Sequence, residues 1–164
     1  VKHLANEEQR IIVGTKYENP TKLSATEWLD VFIDQQGQIL RGVQKSGYWL
    51  IDVARAGKYE IELRRWPKES EGTINGTLPD GTGNALPITQ AMLYLSGHNH
   101  LEIAQKRSYR FEGLTKPVRE GDKAITFTMN LKKGPTALHT WFQGRNNTML
   151  SAYYVYLNRK EDSK

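Results

Sequence analysis

His98-Asn99-His100 places two imidazoles on one face of an extended chain, the way a strand presents a pair of zinc ligands. A zinc site needs a third or fourth donor, and none lies close in sequence, so exposed loop histidines are the expectation and no metal is called. Pro79-Asp80-Gly81-Thr82-Gly83-Asn84 is rich in oxygen donors. It lacks the spaced acids and terminal bidentate Glu of a calcium loop, and its glycines do not match a phosphate cradle opening a helix, so it reads as a turn-rich connection. Glu60 and Glu62, and again Glu69 and Glu71, stand two apart. Glycoside cleavage needs two acids about 5 to 10 Å apart across a cleft, one with a raised pKa. Neighbouring positions on a wet strand face give the distance without that environment. No G-x-S-x-G elbow occurs, and the chain has no cysteine, which excludes a thiol nucleophile, thiolate metal ligands and disulfides.

Recognition chemistry has better candidates than catalysis. Arg64, Arg65 and Trp66, with Lys68 close behind, are where aromatic and basic residues converge, and Trp28 sits near a loop–strand junction. An indole stacks on a sugar ring while guanidinium groups pair with its anionic substituents. Trp28, Arg64, Arg65, Trp66 and Lys68 are therefore the candidate ligand-binding residues, and burial of Trp66 is the test: buried means packing, exposed means glycan. Trp49 and Trp141 are assigned to the core. The net charge of +5 favours anionic partners, but its cations are dispersed in pairs such as Lys132-Lys133 and Arg159-Lys160. With no basic run or basic helix, nucleic acid is not an expected partner. Asn75-Gly76-Thr77 and Asn146-Asn147-Thr148 are sequons that matter only where the source glycosylates.

These side chains would be positioned by strands. Tyr59, Ile61 and Leu63 alternate with Glu60, Glu62 and Arg64; Ile125, Phe127, Met129 and Leu131 alternate with polar residues; Trp49, Ile51 and Val53 repeat the pattern. Tyr153, Val155 and Leu157 face opposite Tyr154 and Tyr156, which predicts a central strand covered on both sides. Further strands are expected over 10–14, 28–33, 38–43, 91–96, 101–104 and 137–142, with Ala56-Gly57 as a tight hairpin. Nine or ten short strands with frequent turns predict an all-β, antiparallel sandwich or jelly roll. The 164 residues suit one domain spanning 9–159, with an extension at 1–8, a long Gly- and Pro-rich loop at 68–87 and a tail at 160–164. No apolar run reaches membrane-spanning length. The start at Val1-Lys2-His3 carries no export signal, so any such label is expected upstream.

The order Glu18-Asn19-Pro20, Leu23, Trp28, Gly47 to Val53 and Gly57 to Pro67 resembles the C-terminal region of bacterial arylsulfatase-like sulfatases from polysaccharide-degrading bacteria. The likeness continues through Leu86-Pro87-Ile88, Ala91, Ile125 to Leu131, Gly134, Leu138, Trp141-Phe142 and Ala152 to Tyr156, and so covers most of 9–159. Its distinctive runs are L-R-R-W-P and A-Y-Y-V-Y. The chain departs where Thr26-Glu27 precede Trp28 in place of His-Asp, in lacking a Trp-Asn-Gln stretch, and over 97–106. The resemblance implies a non-catalytic accessory domain packed on the sulfatase catalytic domain of the same polypeptide, shaping access for sulfated glycans. It implies export to the periplasm or cell surface, and calcium only in the parent catalytic domain. The formylglycine motif C/S-x-P-x-R is absent from this chain, so it is not expected to be the enzyme. The runner-up is a carbohydrate-binding module for sulfated or acidic polysaccharide.

Overall fold

The computed structural model describes residues 10–27, 47–96 and 114–161. They form two packed sheets, an all-β sandwich. The strands are β1 (Ile11–Val13), β2 (Thr21–Ser24), β3 (Tyr48–Val53), β4 (Gly57–Arg64), β5 (Ile88–Leu95), β6 (Leu114–Pro117), β7 (Ile125–Leu131), β8 (Gly134–Gly144), β9 (Met149–Leu150) and β10 (Tyr154–Arg159). Sheet A runs β1-β3-β8-β5-β6, with β9 also paired to β8; sheet B runs β2-β10-β4-β7. Pairing is antiparallel except between β1 and β3, which are parallel. Helical structure among the described residues is confined to two 3₁₀ turns, Ala25–Glu27 and Lys68–Ser70.

Period-two patterning determines which side chains meet between the sheets. From sheet A, Trp49, Ile51, Val53, Leu93, Leu95, Leu138 and Phe142 are fully buried; from sheet B, Leu23, Tyr59, Ile61, Leu63, Val155 and Leu157 join them. Each such apolar side chain removed from water stabilises the fold by about 1.5–3 kcal/mol before ordering entropy is subtracted. Trp49 also fastens one sheet to the other, its Nε1–H donating to the Ser24 carbonyl at 2.8 Å. The expected central strand is β10, hydrogen-bonded to β2 on one side and β4 on the other. Asn19 seals its end, its side-chain amide donating to Arg159 O and accepting from Arg159 N, each at 2.9 Å.

The Ala56-Gly57 turn is not a hairpin. β3 belongs to sheet A and β4 to sheet B, so the chain turns a corner between layers there. Arg55 holds the corner by donating from Nε to Gly14 O at 2.7 Å and from Nη2 to Thr15 O at 3.0 Å. The turn at Lys132-Lys133 likewise crosses between layers, from β7 in sheet B to β8 in sheet A. The strands expected over 28–33, 38–43 and 101–104 lie outside the described residues.

Candidate functional site

The Arg–Trp cluster is not a surface patch. Arg65 is fully buried, Trp66 is 2% exposed and Arg64 8%. As the chain leaves β4, Arg65 turns inward beneath the 68–87 loop. Its Nη1 donates to Gly76 O at 3.1 Å and to Ile74 O at 3.5 Å, and its Nη2 donates to Asn84 O. The Trp66 Nε1–H donates to Thr73 O at 2.9 Å. Two side chains expected to bind a glycan instead bind the backbone of their own loop, which explains their burial: a guanidinium removed from water must replace its hydration with acceptors. Among the described residues Arg65 Nε has no hydrogen-bond partner, and burial lowers the Arg65 pKa to about 10 while Tyr153 opposes the shift. The loop is anchored further by Ile74, fully buried, whose N–H donates to Asp122 O at 2.8 Å.

Arg64 points to the outer face of sheet B, where its Nε meets Glu62 Oε2 at 2.9 Å. Lys68 is exposed, 3.9 Å from Glu62 and 5.6 Å above the Tyr156 ring. Trp28 lies outside the described residues, as do His98 and His100. Glu60 pairs with Lys160 at 2.9 Å, so both strand carboxylates face cations, and Glu71 pairs with Lys123, which lowers its pKa. Asp80 is tied into the expected turn, accepting from Thr82 N at 2.9 Å and from the Thr82 hydroxyl at 2.6 Å, and these bonds lower its pKa. Among the described residues no three His, Asp or Glu side chains are grouped as a metal site, and no helix is long and apolar enough to cross a membrane.

The concentration of aromatic side chains lies elsewhere, on the outer face of sheet A. Trp141 is not core: Leu138, Thr140 and Phe142 point inward, so His139, Trp141 and Gln143 project from the opposite face and are half-buried. Cross-strand register sets Tyr48 of β3 and Tyr94 of β5 on either side of His139, Met92 opposite Trp141, and Met149 of β9 opposite Gln143. His139 stacks on Tyr48 with centroids 5.0 Å apart and on Trp141 at 5.7 Å, while Tyr94 meets it edge-on at 5.3 Å. Tyr94, His139, Trp141 and Met149 also take part in interactions outside this set. Met92, Tyr94, His139, Trp141, Gln143 and Met149 line a cavity of about 550 Å³. A signal for this face was present in the sequence: adjacent Trp141 and Phe142 cannot both face inward from one strand, and Leu138 sets the phase for Phe142.

No protein-family model matches the chain, and no curated protein sequence matches it. Among solved structures, it is similar to part of a ruminal GH26 endo-β-1,4-mannanase, with a TM-score of 0.48 and 9% identity over 93% of this chain. The matched portion is 28% of that protein's chain.

Proposed function

We propose that this chain is a non-catalytic accessory domain of an exported, sulfatase-type enzyme, packing on the catalytic domain of the same polypeptide and shaping access for sulfated glycans. The observation that carries the reading is the place of the resembling runs within the fold. L-R-R-W-P forms the buried clamp of Arg65 and Trp66 on the 68–87 loop, and A-Y-Y-V-Y supplies the central strand β10 and its approach. Residues that carry the resemblance are thus residues that hold a scaffold together, as a shared domain requires. The paired state of Glu60 and Glu62 agrees with a role outside catalysis. Burial of Arg65 and Trp66 weighs against the rival in which that cluster grips a sulfated polysaccharide. Calcium and the formylglycine belong, on this reading, to the catalytic domain.

The test is the native polypeptide. Residues encoded upstream of Val1 should include a C/S-x-P-x-R motif, and removing 9–159 from the whole enzyme should lower its thermal stability or its sulfate-ester hydrolysis. A signal peptide joined directly to Val1, or a truncated enzyme with unchanged stability and activity, would overturn the proposal.

A further inference from the structure

The 68–87 loop, held down by Arg65 and Trp66, forms one wall of a further cavity. Asn75, Leu86, Pro87, Val118, Glu120 and Arg145 are among the residues lining it, and its volume of about 920 Å³ lies within the range of small-molecule sites. The loop wall is fixed by the Arg65 bonds to Gly76 O and Asn84 O and by the Leu86 N–H, which donates to Asn75 O at 3.1 Å. The Arg145 side is fixed by a close approach of two backbones. A Cβ at Gly144 would lie 1.8 Å from the Pro87 carbonyl oxygen, so only glycine lets β8 end against Pro87. Arg145 N–H donates to Pro87 O at 3.0 Å, and Thr148 N–H returns to Arg145 O at 3.2 Å across the left-handed Asn146-Asn147 turn. On the other side of β5, Val118 N–H donates to Thr89 O at 2.8 Å and leads the chain to Glu120.

Exposed charges are ordinary, but these two line one apolar-walled cavity from opposite sides of β5 without pairing. Among the described residues, the side chains of Arg145, Glu120 and Asn75 have no hydrogen-bond or ion-pair partner. Glu60, Glu62, Glu69 and Glu71, by contrast, each face a lysine or an arginine. A guanidinium with its N–H groups unengaged is a planar fork for a sulfate or a carboxylate. A carboxylate and an amide across from it accept from and donate to hydroxyls, and Leu86, Pro87 and Val118 offer apolar surface to C–H groups. An acidic sugar has all three features: one oxyanion, several hydroxyls and a face of C–H groups. We infer that this cavity binds one anionic sugar residue of an acidic glycan, its sulfate or carboxylate on Arg145 and its hydroxyls on Glu120 and Asn75. Walls held by backbone bonds leave little ordering to be lost on binding. The inference rests on the proposed function for the kind of glycan, and it assigns the contact to residues outside the L-R-R-W-P run.

The experiment is isothermal titration calorimetry of the full chain with tetrasaccharides of carrageenan, of desulfated carrageenan and of alginate. Saturable binding of carrageenan (a sulfate) or alginate (a carboxylate) is expected, with the desulfated tetrasaccharide at least about tenfold weaker. Arg145→Ala should weaken binding about tenfold or more, and Arg145→Lys should recover part of it. Glu120→Ala should also weaken binding, because hydroxyls lose an acceptor; tighter binding would show that Glu120 only repels the ligand and would overturn its assignment. Lys133→Ala, an exposed cation at the turn between β7 and β8, should leave binding unchanged. Binding of neither acidic tetrasaccharide, or equal losses in Arg145→Ala and Lys133→Ala, would overturn the inference. Binding of alginate alone would keep the cavity and make its ligand a carboxylate. Absence of C/S-x-P-x-R upstream of Val1 would end the sulfatase reading without touching these results, whereas absence of binding beside an intact motif would end this inference alone.

Discussion

The guanidinium of Arg65 lies 4.4 Å from the centre of the Trp66 indole, and both side chains are buried under the loop that follows them. Their hydrogen bonds go to main-chain carbonyls of that loop, at Thr73, Ile74, Gly76 and Asn84. A long connection with little apolar content is thereby ordered by a cation rather than by a core of its own.

Removing that cation should loosen the loop and the domain together. Arg65→Ala leaves three carbonyls without their donor, and a loss of about 3 kcal/mol or more is expected in urea denaturation. Arg65→Lys keeps the charge but not the planar fork, so it should recover only part of the loss. Full stability in both variants would show that the clamp contributes nothing.

Stability should fall in alkali. Burial raises the pKa of Tyr59, Tyr153 and Tyr154, that of Tyr153 to about 12. A tyrosine whose folded pKa exceeds its unfolded one contributes fully below about pH 10, and the contribution is lost as pH rises through the folded pKa. Arg65, lowered to about 10, acts in the opposite direction over the range where the unfolded chain holds the proton more firmly. The tyrosine contribution is isolated by Tyr153→Phe: between about pH 10 and 12 the urea midpoint of the unsubstituted chain should lose ground relative to that of the variant. Parallel pH dependences in the two proteins would reverse the assignment.

How much of this was legible beforehand follows from the range of each interaction. Alternation in Trp49-Ile51-Val53 and Tyr59-Ile61-Leu63 is a local signal, and those residues are the core. β2 has Leu23 as its one large buried side chain, and β6 carries Lys116 and Pro117 on an exposed edge, so neither shows the period. The burial of Arg65 depends on acceptors 9 to 19 residues downstream, a fold-back that composition does not encode. For Trp141 the phase is readable from Leu138 and Phe142, and it places the indole on the outer face against the general tendency of large aromatic side chains to pack inside. Which strands share a sheet was not readable at all from Ala56-Gly57, because a hairpin and a corner between layers use the same residues.

Two glycines with similar backbones should differ sharply on substitution. Gly14 has φ of +76° and Gly121 of +91°, so alanine at either incurs the left-handed penalty of about 1–2 kcal/mol. At Gly121 an added Cβ meets nothing within 4 Å, whereas at Gly14 it would lie 1.8 Å from the Tyr59 hydroxyl oxygen. That hydroxyl donates to Arg55 O at 2.7 Å and cannot withdraw without losing the bond. Gly14→Ala should therefore cost about 1–3 kcal/mol more than Gly121→Ala, measured as a difference in denaturation midpoints. Equal losses would mean that the corner at Arg55 yields to the added methyl.

Trp49 and Trp141 sit on opposite faces of sheet A, so their contributions to stability should differ. Trp49 is fully buried and joins the sheets through Ser24. Truncating it leaves a cavity in the sandwich and an unmatched carbonyl, and Trp49→Ala should lose about 3–5 kcal/mol. Trp141→Ala removes a half-buried ring from the outer face and should lose about 1 kcal/mol while retaining a cooperative transition. Thermal unfolding of the two variants side by side checks this. If Trp141→Ala proved as damaging as Trp49→Ala, the indole would be part of the fold's packing in the same measure as the buried tryptophan.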